Sequence, residues 1–372
     1  MNIAILTQPI CNNYGGILQN YALQTVLERQ GHTVTTLNFP VISGYSGSKV
    51  RHILSTCRRV LRKLNGDPAV VWVDLATEYR KQVELAHLQK IFFDNHQHLY
   101  TICPPITREQ VEQFHFDAFV VGSDQVWRPR YNAYIPNLFL DFTEGMSVKR
   151  IAYAASFGTD QWEFSTEQTT ISSFLAKKFD VVSVREASGI QLCKQNLGVD
   201  AIQVLDPTLL LSAEEYLFLC TGNEHPQGDY IAVYTLDYTK KKMTLLKEVS
   251  RYLNIPLYFI GRFTKKGYPS VESWLEGIAN AKYVITDSFH GTVFSTIFMR
   301  QFITLGNAVR GNSRFDSLFN ILGIPKERQT NNVNQIIDLL QQPIDYKSVN
   351  RLKAEWQDKS NSFLQRILCV EF

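Results

Sequence analysis

The strongest constraint on the fold is a repeated unit. A short β-branched or aromatic run leads into a turn of Gly, Asp, Ser or Asn, and a helical segment follows. Its clearest copy is Tyr283-Val284-Ile285-Thr286, then Asp287-Ser288-Phe289-His290-Gly291 and the apolar stretch 293–299. The first four residues fit a buried strand, and Asp and Ser open helices because their side-chain oxygens accept from free backbone N–H groups. His290 therefore falls where a parallel strand hands over to a helix, which in α/β sheets is the carboxyl edge where ligands bind. The first helical turn also offers unpaired N–H groups and the positive end of the helix dipole, which suit phosphate or carboxylate. The same residues would serve equally as a plain helix cap carrying a histidine.

The unit recurs along the chain. Residues 3–6 form a strand, Asn12-Asn13-Tyr14-Gly15-Gly16 a loop, 17–30 a helix stopped by Gly31, and 33–37 a second strand. That is one βαβ unit. Strands at 116–121, 150–155 and 181–184 end in Gly122-Ser123-Asp124, Ser156-Phe157-Gly158 and Arg185-Glu186, the last leading into a helix at 187–196. After Asp206-Pro207 a second series begins. Strands are expected at 230–234, 257–260, 283–286 and 302–305, with helices at 240–253 and 271–280. Alternation of this kind, run twice, predicts two Rossmann-like, doubly wound α/β domains with parallel sheets and a cleft between them. Asp-Pro disfavours a continuing helix, so the join is placed at 204–210. The expected divisions are 1–206, with a helical insert at about 49–100, then 207–345, and a final helical segment 346–372 that packs back on the first domain.

Composition narrows the function classes. At 372 residues the chain is too long for one ordinary core. Apolar residues at 45% and charged residues at 20% exclude a disordered chain, and no run approaches the roughly 20 apolar residues of a spanning helix. No basic leader precedes the first strand, so no secretory signal is expected. Cys11, Cys57, Cys103, Cys193, Cys220 and Cys369 are scattered without a CxxC pair or zinc spacing, which fits reduced thiols in a cytoplasmic protein and no metal site. A net charge of +3 gives no argument for nucleic acid.

Candidate site residues collect at strand ends. The paired glycines Gly15 and Gly16 let a backbone approach a ligand, or simply make a turn; neither GxGxxG nor a P-loop is present. Asp124 can orient a hydroxyl or take its proton. Trp127 can stack on a sugar face or belong to the core. Arg185 offers a planar fork to carboxylate or phosphate, or pairs with a neighbour such as Glu186. Arg262, Lys265 and Lys266 form a second cationic loop, and Arg310 and Arg314 a third. Together these point to a small anion held between the halves. Segment 49–64 differs: Ile53, Leu54, Cys57, Val60, Leu61 and Leu64 share one helical stripe, with Arg51, Arg58, Arg59, Arg62 and Lys63 around it. Such a helix can lie on an anionic membrane or pack on a core with a solvated basic face.

Four of these motifs occur together. Asn13-Tyr14-Gly15-Gly16-Ile17-Leu18-Gln19-Asn20-Tyr21-Ala22-Leu23-Gln24, Gly122 to Trp127, Ser183-Val184-Arg185-Glu186 and Thr286 to Gly291 resemble, in order, the polysaccharide pyruvyl transferase family. The resemblance runs to about Gly323. It implies the two-Rossmann-domain plan of the glycosyltransferase B fold, with the acceptor on the first domain and the donor on the second. It also implies transfer of pyruvate from phosphoenolpyruvate, with no cofactor, to a sugar of a surface polysaccharide or its lipid-linked precursor as a ketal. On this resemblance Arg185 holds the donor and His290 is the second-domain histidine; Asp124, from its strand-end position, is expected to join it in catalysis at an acceptor hydroxyl. Ser288 and Gly291 flank the donor, and Asn13, Tyr14, Gly15, Gly16, Ser123 and Trp127 line the acceptor side. Some members carry an arginine two positions before the histidine where this chain has Ser288, so donor charge falls to Arg262, Lys265 or Arg314. The motifs leave open a sugar-nucleotide glycosyltransferase on the same plan, and a non-catalytic glycan-binding relative. Acceptor sugar, ketal stereochemistry and oligomeric state have no signature in the chain.

Overall fold

The computed structural model describes residues 1–9, 13–39, 92, 94–96, 98–132, 134–220, 222, 225–262, 268–306 and 312–369. The basic segment 49–64, Lys265, Lys266 and Arg310 lie outside the described residues. Strands β1 (Asn2–Leu6), β2 (Thr33–Asn38), β3 (Leu99–Thr101), β4 (Ala118–Val121), β5 (Lys149–Ala155), β6 (Val181–Val184) and β7 (Ile202–Gln203) form one parallel sheet in the order β3-β2-β1-β4-β5-β6-β7. Strands β8 (Ile231–Tyr234), β9 (Leu257–Phe259), β10 (Tyr283–Thr286) and β11 (Gln301–Thr304) form a second, β11-β10-β8-β9, also parallel. The expected pair of doubly wound Rossmann-like sheets is what the chain folds into. Parallel strands are covered on both faces, and this explains why β4 reads Ala-Phe-Val-Val with all four residues buried.

Each sheet reverses its winding at one place. In the first, β1 lies between β2 and β4, with Leu6 level with Leu37 and Val121. In the second, β8 lies between β9 and β10, with Tyr234 level with Thr286. The crevice at such a reversal is open because neighbouring connections leave to opposite faces. The loops at both reversals face each other. A single apolar cluster joins the halves beneath them, running from Ile3 and Leu23 to Tyr234, Trp274 and Phe294.

The helix Tyr14–Arg29 follows β1 directly and is buried along most of its length. Its Gln19 ties two strand ends together: Nε2 donates to Thr7 Oγ1 at 2.8 Å, and Oε1 accepts from Ser123 N at 3.0 Å. The helix Tyr346–Cys369 crosses back to the first sheet. Ser360 Oγ accepts from Leu205 N at 3.0 Å, and Lys149 Nζ donates to the Ile367 carbonyl at 2.7 Å. Reading by strand-helix alternation passes over the helices Thr166–Ala176, Ser313–Leu322 and Val333–Gln341. Among the described residues no helix is long and apolar enough to cross a membrane.

Candidate active site at the junction of the two sheets

Three strand ends of the first sheet and one of the second deliver the polar groups. After β4 the chain turns through Gly122 (φ 129°) and Asp124 (φ 68°). A Cβ on Gly122 would lie 1.9 Å from the Tyr153 carbonyl, so only glycine fits this turn. After β6 come Arg185 and Glu186, and after β7 comes Asp206. After β10, Ser288 caps the helix Phe289–Ile297 by accepting from Gly291 N at 3.4 Å, which sets His290 in the first turn. Gly291 has no room for a Cβ, which would meet Thr286 Oγ1 at 2.3 Å. On the opposite side stands Gly15, where a Cβ would come within 2.0 Å of His290 Nδ1. The glycine loop of the first half and the histidine of the second are therefore in direct contact.

Arg185 is buried at the centre, its side chain 3% exposed. Nη1 reaches Asp206 Oδ2 at 2.6 Å, Nη2 reaches Asp124 Oδ1 at 3.3 Å, and Nε faces Glu186 Oε2 at 3.9 Å. Burial opposes its charge, but the carboxylates of Asp206, Asp124 and Glu186 outweigh it and raise its pKa. Its guanidinium lies 4.5 Å from the centre of the Phe289 ring, and that of Arg314 lies 5.8 Å from the same ring. Burial, with Arg185 close by, pulls Arg314 down to about 10. Two buried guanidiniums share one ring, and the three carboxylates of the cluster balance their charge.

Asp206 is the shared acceptor. Its Oδ1 takes Thr208 N at 3.0 Å and Thr208 Oγ1 at 2.6 Å, while Oδ2 faces Arg185, Ser123 Oγ at 3.4 Å and His290 Nε2 at 3.5 Å. Burial alone would raise its pKa. Neighbouring His290 and Arg185, with the Thr208 hydrogen bond, outweigh that and hold the carboxyl well below the usual range. His290 Nε2, Arg185 Nε and Glu186 Oε2 are buried and make no hydrogen bond among the described residues. Open polar valences are rare in a folded interior; here Arg185 Nε and Glu186 Oε2 face each other at 3.9 Å and His290 Nε2 faces Asp206 Oδ2 at 3.5 Å. Among the described residues no group of three His, Cys, Asp or Glu side chains is arranged to hold a metal ion.

The expected residues divide clearly. Asn13 joins the cluster, its Nδ2 donating to Asp124 Oδ2 at 3.3 Å, and Ser123 and Gly16 lie beside it. Glu186 Oε1 accepts from Ser156 Oγ, Phe157 N and Gly158 N, so it also holds the turn after β5. Tyr14 is turned away from the cluster: its hydroxyl donates to the Pro269 carbonyl at 2.7 Å and its ring stacks on Trp274 at 5.6 Å, pinning one half to the other. Trp127 is a correction. It is wholly buried, stacked on Phe139 at 4.9 Å, with Nε1 donating to the Leu138 carbonyl at 2.9 Å, so it offers no face to a sugar. Arg262 is exposed and lies over Tyr238 and Phe259, outside the cluster. Asp206 was not among the expected site residues. The signal for it is an acid at the carboxyl end of β7, the strand beside the one that carries Arg185.

Two doubly wound sheets with a polar site at their facing reversals define the class of the glycosyltransferase B fold. Solved structures agree with that class. The chain resembles Arabidopsis thaliana UGT89C1 at 10% identity and a TM-score of 0.53, covering 99% of both chains. It resembles the UDP-GlcNAc 2-epimerase of Neisseria meningitidis, solved bound to UDP-GlcNAc, at 9% identity and a TM-score of 0.54, again over 99% of both chains. No curated protein matches in sequence. The family model for polysaccharide pyruvyl transferase matches residues 13–308. The chain belongs to the polysaccharide pyruvyl transferase family, and membership implies a transferase acting on polysaccharide.

Proposed function

We propose that the protein moves pyruvate from phosphoenolpyruvate onto two hydroxyls of one sugar in a surface polysaccharide or its lipid-linked precursor, forming a ketal. The observation that carries this reading is the convergence of His290, Arg185 and Arg314 at Phe289, with His290 Nδ1 turned to the glycine loop. Family membership supplies the chemistry to test against it.

The reaction makes definite demands. Protonation of the methylene carbon of the enol phosphate leaves the central carbon electrophilic, and a sugar hydroxyl adds there. Phosphate then departs and the neighbouring hydroxyl closes the ketal. Of the two hydroxyl protons, one is balanced by the new methyl group and the other by the released hydrogen phosphate. The site must therefore move protons and hold a carboxylate and a phosphate. His290 is assigned to the proton transfers, Arg185 and Arg314 to the donor anion, and Asp124 to an acceptor hydroxyl. The Ser288 N-cap, Gly291, Gly16, Ser123 and Asn13 shape the walls. Ser288 carries no charge, and Arg314 is the buried cation that meets the donor in its place. Arg262, exposed and outside the cluster, is left for the rim.

No cofactor and no nucleic acid enter this reading. The scattered thiols fit a cytoplasmic setting, and segment 49–64 is proposed to meet anionic lipid on that face. Sedimentation with anionic vesicles at low salt should carry the protein to the pellet, and protein left wholly in solution contradicts the contact. A thermal-shift series tests the donor. A ligand that binds only the native state raises the melting temperature, so phosphoenolpyruvate should do so and nucleotide sugars should not. The reverse result would favour glycosyl transfer.

A further inference from the structure

We propose that Asp206 is the positioning residue of this site, holding the His290 imidazole in one tautomer and the Arg185 fork in one orientation across the junction of the halves. The proposal rests on the pyruvyl-transfer reading for its kinetic consequence but not for its geometry.

The geometry begins with Thr208. Its N–H and hydroxyl both donate to Asp206 Oδ1, at 3.0 and 2.6 Å, so the carboxylate cannot turn. The other oxygen is left facing Arg185 Nη1 at 2.6 Å, Ser123 Oγ at 3.4 Å and His290 Nε2 at 3.5 Å. The Asp206 side chain is 1% exposed and those of Arg185 and His290 are 3% and 6% exposed, so water does not compete for these contacts. An ionised carboxylate only accepts. Whichever ring nitrogen faces it must carry a proton, and here that is Nε2. The bare nitrogen is then Nδ1, on the side of Gly15 and the glycine loop. Hydrogen bonds of this kind are often long without substrate and close when it binds, as an Nε2–Oδ2 separation of 3.5 Å allows. The other charged groups around the pair are Arg185, Asp124, Glu186 and Arg314.

A stabilising ion pair alone would require only charge at position 206. Positioning requires the acceptor character of Oδ2; Asp206→Asn removes both, and the ring tautomer, which loss of charge alone would not move, separates the two. Thr208 still donates twice at the Oδ1 position and holds the amide oxygen there, so the NH2 turns toward His290 and toward Arg185 Nη1, which loses its acceptor. Nε2 then has to accept, and the ring proton moves to Nδ1. A wrong tautomer disables proton transfer without removing a side chain.

Two readouts test this on the full-length protein. The first is the 15N spectrum of His290, read at a pH where the ring is neutral. The wild type should show the proton on Nε2, and Asp206→Asn should show it on Nδ1. This needs no turnover, so it decides the inference even if phosphoenolpyruvate proves not to be the donor. A wild-type ring protonated on Nδ1 overturns the proposal, whether or not the variant folds. The second is steady-state kinetics with phosphoenolpyruvate. Asp206→Asn should lower kcat by about 10²–10⁴-fold, the usual weight of acid–base catalysis, with a much smaller change in KM. A variant with wild-type kcat, or one whose ring tautomer is unchanged, also overturns it.

Discussion

Gly15 and His290 touch across the junction of the two sheets: a Cβ at position 15 would stand 2.0 Å from His290 Nδ1. The backbone of Gly15 is ordinary helix, so helix propensity alone would favour alanine there by about 1 kcal/mol. The contact reverses that preference. Overpacking costs about 1–3 kcal/mol, and the displaced group is the proposed proton carrier. Gly15→Ala should lower the melting temperature modestly and turnover severely, and a variant of unchanged activity would show that the contact is dispensable.

Asp287 sits three residues before the histidine in the same motif, yet its role is different. Its side chain is fully buried, Oδ1 accepts from Leu236 N at 2.7 Å, and Oδ2 pairs with Lys242. It latches the turn after β8 to the start of the helix Phe289–Ile297. Removing one partner of a buried pair costs about 3–5 kcal/mol. Asp287→Ala should show that loss as a fall in the urea midpoint, with the surviving folded fraction still able to bind donor.

Trp127 should act through the core. Trp127→Phe keeps an aromatic ring against Phe139 but removes the donor to the Leu138 carbonyl, leaving it unpaired at a cost of about 1–3 kcal/mol. Denaturant unfolding should register that loss, while the KM for acceptor stays at the wild-type value. A rise in acceptor KM with stability intact would return Trp127 to the ligand.

Much of the fold was legible in local pattern. The strand runs at 3–6, 181–184 and 283–286 and the helix at 240–253 are stated by periodicity and by their caps, since Thr239 accepts from Lys242 N and Asn254 closes the helix in the left-handed region. The helix Thr166–Ala176 carries a local signal, the Ser165–Gln168 capping box, that reading by strand-helix alternation passed over. The strand-end placement of Asp124, Arg185 and His290 followed from the same alternation, and the structure brings all three together. Two things were not legible. Asp-Pro at 206 reads locally as a chain break, and its contacts lie 21 residues back and 84 residues ahead, at Arg185 and His290. The direction of Trp127 was set by Phe139 and the Leu138 carbonyl, which arrive from a separate turn. Strand-end position tells which edge a residue reaches, whereas side-chain direction depends on what the rest of the chain packs against it.

The site also has a pH signature. The Asp206 carboxyl is held below its unfolded value, because His290, Arg185 and Thr208 together outweigh the cost of burial. A depressed carboxyl contributes stability that is fully present above the unfolded pKa, about 4, and is lost as pH falls toward the folded one. Each proton taken up on unfolding is worth about 1.4 kcal/mol per pH unit. Urea unfolding of the wild type should therefore weaken steadily below about pH 4, and Asp206→Asn should show a shallower slope there. Equal slopes would remove the ionised Asp206 from the account.

The most direct test of the pyruvyl-transfer reading follows both products at once. Purified protein, phosphoenolpyruvate and glycan extracted from the source cells are combined, phosphate release is measured, and the glycan is examined for a pyruvate ketal. The account predicts phosphate and ketal in equal amounts from the wild type, and neither from His290→Ala, which should remain folded. Ketal formation by His290→Ala at the wild-type rate, or a wild type that releases no phosphate but transfers a sugar from a nucleotide, would contradict it.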